Sequence, residues 1–164
     1  MNQAGFEMMV RAYSSDLFRF AYWLCRNRWQ AQDVVQETFA SAWRAKDSLR
    51  DESAAKAWLF SILRNEHARI YQRKRLDMVD AELEDLPNTV DSGYERIEVE
   101  ECLRKLPDSY REPLMLQVLG GFSGSEIAEL MGITEQSVMT RLTRARHALQ
   151  RLVAPRAEPR FKES

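Results

Sequence analysis

Through most of this chain, apolar residues recur at steps of three and four, the spacing that gathers them on one side of a helix. Phe6, Val10, Tyr13, Leu17, Phe20 and Leu24 form the first such stripe. A polar turn at Asn27 precedes a second helix over about residues 31 to 46, with a predicted buried face of Val35, Phe39, Ala42 and Trp43. Asp33, Gln36, Glu37, Ala40, Ser41 and Arg44 then look outward. Residues 47 to 53 are polar and without period, and read as a loop. A third helix runs from about 54 to 75, with Trp58, Leu59, Ile62, Leu63 and Ile70 inward. Its other face carries Ser61, Arg64, Asn65, Ala68, Arg69, Gln72, Arg73 and Arg75, and Glu66 is the sole carboxylate over that span.

The period fails from residue 76 to 93, where Pro87 and Gly93 stand among too few apolar residues to bury, so this segment reads as a tether. Four shorter helices follow. Residues 95 to 106 bury Val99, Cys102, Leu103 and Leu106. Ser109 and Glu112 have the spacing of a capping box that opens the next helix, with Pro113 an awkward early member and Gly120-Gly121 the stop. Ser123 and Glu126 form a second box, Gly132 makes a turn, and Thr134 caps the last helix. That helix buries Val138, Leu142, Ala145, Leu149 and Leu152. The expected organisation is all-α: a block over 1–75, an acidic linker over 76–93, a second block over 94–153, and a disordered tail over 154–164 that holds Pro155 and Pro159.

Charge sharpens this division. The formal net charge of -1 hides 13 basic against 8 acidic residues over 1–75, and six carboxylates with no basic residue over 76–92. Each folded block is therefore free to carry a basic surface despite the neutral total. Cys25 and Cys102 lie in different blocks and read as small buried residues, since neither a disulfide framework nor a zinc site has such spacing. Glu7 and Arg11 stand where a signal peptide would be apolar, and no stretch is long enough to enter a bilayer. A soluble protein of the cell interior is expected, without cofactor or metal.

The most specific chemistry lies near the C-terminus. Ala128 is small enough to sit beneath a crossing helix, Gly132 can take positive φ, and Ile127, Met131, Ile133 and Val138 supply the wedge between two helices. This is the pattern of a helix-turn-helix, whose second helix enters the major groove. The outer face of that helix offers Gln136, Met139, Thr140, Arg141, Thr143, Arg144 and His147 to base edges and phosphates. In the first block, Arg64, Asn65, Arg69, Gln72 and Arg73 beside a polar loop suit partly single-stranded DNA.

Three sequence stretches in order resemble the extracytoplasmic-function sigma factors of bacterial RNA polymerase, over residues 6 to 152. Residues 32 to 44, from Gln32-Asp33-Val34-Val35-Gln36-Glu37 to Ala42-Trp43-Arg44, are similar to the family's region 2.2. Ala57-Trp58-Leu59-Phe60 through Arg64-Asn65 resembles regions 2.3 and 2.4. Leu106-Pro107, Glu126-Ile127-Ala128 and Arg141-Leu142 through Arg144-Ala145-Arg146 resemble region 4. The resemblance implies that Asp33, Gln36, Glu37 and Arg44 dock on core polymerase. It implies that Leu49, Arg50, Ser61, Arg64, Asn65, Arg69, Gln72 and Arg73 meet and melt the minus-ten element. Gln136, Met139, Thr140, Arg141, Thr143, Arg144 and His147 would read the minus-35 duplex, and an anti-sigma factor would restrain the protein. Met139, Thr143, Leu49, Ala55 and Asp51 depart from the residues common at their positions, which bears on promoter sequence rather than on fold.

A stand-alone regulator binding operator DNA would use the second block equally well. It gives no reason for a first block that pairs a basic helix with a separate polar face. An enzyme is disfavoured because His67 and His147, the two histidines, sit in different blocks with no nucleophile, metal cluster or phosphate loop beside them.

Overall fold

A computed structural model describes the backbone of residues 1–77 and 94–157, and the side chains of residues 1–72 and 99–153. Every regular element among these residues is helical. Residues 76 and 77, expected to open the tether, instead prolong the third helix; residues 78–93 and 158–164 lie outside the described residues. The chain divides into two compact units, residues 1–88 and 89–164.

The first unit is a three-helix bundle of α1 (Gln3–Cys25), α2 (Arg28–Arg44) and α3 (Ala55–Asp77), each packed on the other two. Asn2 caps α1 by accepting from the Gly5 N–H, and Asn27 caps α2 by accepting from Trp29 and Gln30. Between the caps, Arg26 takes a left-handed conformation, φ 56°. These end signals turn the chain back within two residues, which sets α2 against α1.

The seam of α2 differs from the predicted one. Ala31, Val34, Thr38 and Ala42 are buried, while Val35 and Phe39 are half-buried and Trp43 is 40% exposed. The stripe sits one position earlier because α2 lies between two helices and small residues let both approach closely. Thr38 fits there because its hydroxyl donates to the Val34 carbonyl at 2.7 Å, which leaves its methyl to pack. Trp43 instead closes the rim, edge-on to Phe6 with centroids 5.0 Å apart and with Lys46 Nζ 3.4 Å from its ring. On α3 the fully buried set is Leu59, Phe60 and Leu63; Trp58, Ile62 and Ile70 flank it half-buried. Phe60, absent from the predicted stripe, meets Phe20 of α1 at 5.4 Å between ring centroids. Burying one such side chain contributes about 1.5–3 kcal/mol.

The second unit comprises α4 (Tyr94–Lys105), α5 (Asp108–Val118), α6 (Gly124–Met131) and α7 (Glu135–Ala157), with the first three packed on α7. Cys102, Leu103 and Leu106 are buried as expected, but Val99 is 48% exposed and is not part of that seam. No capping box forms at Ser109. Helix α5 begins two residues earlier, with Pro107 as its N-cap and its carbonyl accepting from Tyr110 and Arg111 at 3.0 and 2.9 Å. Arg111 is buried: its guanidinium pairs with Asp108 and donates to the Arg104 carbonyl at the end of α4. Pro113 is fully buried in the core, so its ring offsets the backbone bond that it forfeits.

Gly120 and Gly121 end α5 in different ways. Gly121 takes φ 69°, while a Cβ on Gly120 would stand 2.5 Å from the Phe122 ring and 2.6 Å from the Leu116 carbonyl. The disordered tail expected from 154 is corrected over 154–157, where α7 continues to Ala157, and residues 158–164 lie outside the described residues. A proline near a helix end costs one backbone bond, and its fixed φ is already helical.

Candidate nucleic-acid interface

In the second unit the predicted turn is in place. Ser123 and Glu126 form a reciprocal capping box, with bonds of 3.2 and 3.0 Å. Gly132 has φ 66° and no atom near its missing Cβ, so the left-handed turn alone calls for glycine. The Ile133 N–H returns to the Ala128 carbonyl at 3.1 Å, and Thr134 caps α7 by accepting from the Ser137 N–H at 3.1 Å. Ile127 and Val138 are fully buried between α6 and α7, and Ala128, Met131 and Ile133 surround them half-buried.

With that wedge fixed, Gln136, Met139, Thr140, Thr143, Arg144 and His147 are exposed on α7, and Arg141 is half-buried beside them. Gln136, Thr140, Arg141 and Arg144 line one side of an open groove of about 550 Å³. Its other side is Ser109 and Tyr110 at the start of α5, which the hydrophobic pattern alone did not single out. Arg144 makes no hydrogen bond or ion pair with the other described residues, so its guanidinium is available to an outside anion. Other members of the face are partly committed. Thr143 donates its hydroxyl to the Met139 carbonyl at 2.9 Å. The Met139 sulfur leans on the start of α6, 3.2 Å from where a Cβ on Gly124 would lie. Arg146 is tied to Gln117 of α5 at 2.8 Å.

In the first unit, Asp33, Gln36, Glu37 and Arg44 are all exposed along α2. Their spacing places them on one side of the helix, away from the Ala31, Val34, Thr38 and Ala42 seam. On α3, Asn65, Arg69 and Gln72 are exposed, and Ser61 and Arg64 half-buried along the same face. The side chain of Arg73 lies outside the described residues. The segment read as a loop contains two short 3-10 turns, Lys46–Ser48 and Glu52–Ala54. Arg50 is exposed and Leu49 half-buried between them. Ala55 is buried at the start of α3, so position 55 supplies no wall to a pocket in the loop. Asp51 accepts from both the hydroxyl and the N–H of Ser53, at 2.7 and 3.0 Å, and these bonds hold its carboxyl below the usual aspartate range.

Sequence reasoning passed over one arrangement here. Glu66 is buried, and its carboxylate accepts from the Ser41 hydroxyl of α2 and from Arg69. The signal was present as the sole acid between residues 54 and 75.

No group of His, Cys, Asp and Glu among the described residues could hold a metal ion, and no described helix is long and apolar enough to cross a membrane. Cys25 is half-buried and Cys102 buried, and neither is in a disulfide.

Comparison with known proteins joins the two units into one reading. The model for Sigma-70 region 2 matches residues 9–76, and that for Sigma-70 region 4 matches residues 96–149. The chain is 33% identical over 152 residues to the ECF RNA polymerase sigma factor SigM of Bacillus subtilis, across 88% of this chain and 92% of the relative. It is 35% identical to the ECF RNA polymerase sigma factor EcfG of Rhodopseudomonas palustris, across 88% of this chain and 82% of the relative. Among solved structures it is similar to the sigma factor RpoE of Bartonella quintana, in complex with the anti-sigma factor NepR. That likeness has a TM-score of 0.78 at 27% identity, over 94% of this chain and 99% of the other. A second is CnrH in complex with the cytosolic domain of CnrY, with a TM-score of 0.69 at 28% identity, over 94% and 90% of the two chains. An operator-binding regulator would leave the match to region 2 without a purpose, and that reading is not favoured. With both regions present in order, the chain belongs to the extracytoplasmic-function sigma factors of the sigma-70 family, non-enzymatic proteins that direct RNA polymerase to promoters.

Proposed function

We propose that the two units divide this work, with α2 docking on core polymerase, α3 and residues 47–53 engaging the minus-ten element, and α7 reading the minus-35 duplex. The observation that carries the proposal is the groove between α5 and α7. A Gly132 turn and a buried wedge fix the backbone of the α7 wall that carries Gln136, Thr140 and Arg144, and Arg144 has no described internal partner. An arginine so placed suits a guanine edge or a phosphate, and threonine and glutamine beside it suit either. Met139, half exposed and braced on α6, offers a thymine methyl an apolar contact in place of a charged one.

On α2, Asp33, Gln36, Glu37 and Arg44 make a polar face of mixed charge whose apolar neighbours are already used within the bundle. Such a face selects a partner by charge complementarity more than by buried area. Arg64, Asn65, Arg69 and Gln72 lie along one face of α3 as a cationic and amide-bearing strip for a strand leaving the duplex, Arg73 follows them in sequence, and Leu49 and Arg50 of the preceding segment would receive an unstacked base. The protein works in the bacterial cytoplasm with core polymerase. An anti-sigma factor restrains it, as the complex of RpoE with NepR supports. The direct test is in vitro transcription with core polymerase on genomic DNA, with transcript starts mapped. Starts that share paired elements at the minus-35 and minus-ten positions support the division of work. Starts without a shared element, at the level given by core alone, overturn it.

A further inference from the structure

Glu66 is only 8% exposed, on a helix whose neighbours Asn65 and Arg69 face solvent. A carboxylate so buried is tolerable only if its oxygens have donors. Both do. The Ser41 hydroxyl donates to Oε1 at 2.7 Å, and the Arg69 guanidinium, one turn further along α3, donates to Oε2. Arg44 Nη2 donates to the Ser41 oxygen at 3.1 Å. A serine hydroxyl has one proton to give, so Ser41 accepts from Arg44 and its own proton is committed to Glu66. Arg44, Ser41, Glu66 and Arg69 thus form one hydrogen-bonded chain from α2 to α3. The Arg69 side chain is nonetheless 52% exposed, and a guanidinium has five N–H donors, so most of its fork is free for a second partner.

We propose that Glu66 is a specificity-determining positioning residue, which pins Arg69 at one place on the DNA-facing side of α3 while Ser41 anchors the carboxylate from α2. The proposal rests on the reading of α3 as the minus-ten surface. On a single strand, which offers no fixed groove, an unpinned arginine can follow any nearby phosphate and gains similar energy whatever the sequence. A pinned one meets a single atom of a correctly placed strand, so its contact depends on sequence. Charge and position make opposite demands here. Removing a carboxylate beside a DNA face strengthens attraction for all strands alike. Removing the pin lowers discrimination between them.

The test uses the full chain assembled with core polymerase and two fluorescent single strands. One carries the minus-ten element of a mapped promoter, and the other the same bases scrambled. For Glu66→Gln we expect the ratio of the two affinities to fall about tenfold, with scrambled-strand binding unchanged or tighter. Ser41→Ala keeps the carboxylate and should lower the ratio in the same direction by less. It carries the test alone should thermal melting show Glu66→Gln unfolded. An unchanged ratio in both variants, or equal tightening on both strands, overturns the proposal. Arg69→Ala separates the causes. If it lowers the ratio where Glu66→Gln does not, the positioning role alone fails. If it leaves the ratio intact, the reading of α3 fails as well.

Discussion

Arg144 stands where the register of Val138, Leu142 and Ala145 turns a side chain outward, and no described residue engages it. On the proposed reading, replacing it by alanine removes a contact to the minus-35 duplex without disturbing the buried side of α7. Promoter activity in Arg144→Ala should fall by the equivalent of about 1–3 kcal/mol. On a template whose minus-35 element is scrambled, variant and parent should be equal; an equal loss on both templates contradicts the assignment. Gly120 was legible in the sequence only as a helix stop, because the clash that a Cβ would make depends on how Phe122 folds back. Gly120→Ala should cost about 1–3 kcal/mol of stability in urea unfolding, through overpacking against the Phe122 ring and the Leu116 carbonyl. Asp51 gives a pH-dependent check on the loop. Its carboxyl is held below the unfolded value by the bonds from Ser53. That contribution is present above the unfolded pKa and disappears as pH falls through the folded one. A carboxyl carbon resonance for Asp51 titrating below that of an aspartate in an unfolded peptide would agree, and a coincident midpoint would refute the turn.

Individual helices were largely readable from periodicity and end signals. Ser123, Glu126, Gly132 and Thr134 mark the helix-turn-helix because each has a local job that needs little help from the rest of the fold. The seam of α2 was misplaced by one position because large residues look like core from sequence alone. A helix caught between two others favours Ala31, Val34, Thr38 and Ala42, and pushes Trp43 to the rim. Helix α5 obeyed a tertiary demand over its apparent capping box, since Arg111 is drawn inward to Asp108 and the end of α4. The outward face of α2 did not depend on those details, and it carries a prediction. Charge reversal at Asp33 together with Glu37 touches no buried residue, so circular dichroism should be unchanged. Retention on core polymerase should nonetheless drop at least tenfold, since wrong-sign charge at an interface is penalised more than truncation. Unchanged retention would show that polymerase docks elsewhere.

Each unit alone presents a modest nucleic-acid surface, and what makes a sigma factor is their presence in one chain. The order of the two blocks was readable from charge and periodicity, while the Ser41–Glu66 bond between helices was not, because residues 25 apart share no local pattern. Among the described residues each amphipathic stripe is used within its own bundle, which leaves no evident seam for a dimer such as an operator-binding regulator needs. Six carboxylates between residues 76 and 92 should further weaken the attraction of the free protein for duplex phosphates. The free protein should therefore bind duplex DNA weakly and without sequence preference, with dissociation constants of the order of 10⁻⁴–10⁻⁶ M at physiological salt. The decisive measurement is a gel shift on a mapped promoter with and without core polymerase, with permanganate to detect unpaired thymines. The account predicts sequence-specific binding and reactive thymines in the minus-ten element only when core is present. A tight, specific duplex complex formed by the protein alone, unaffected by core, would contradict it.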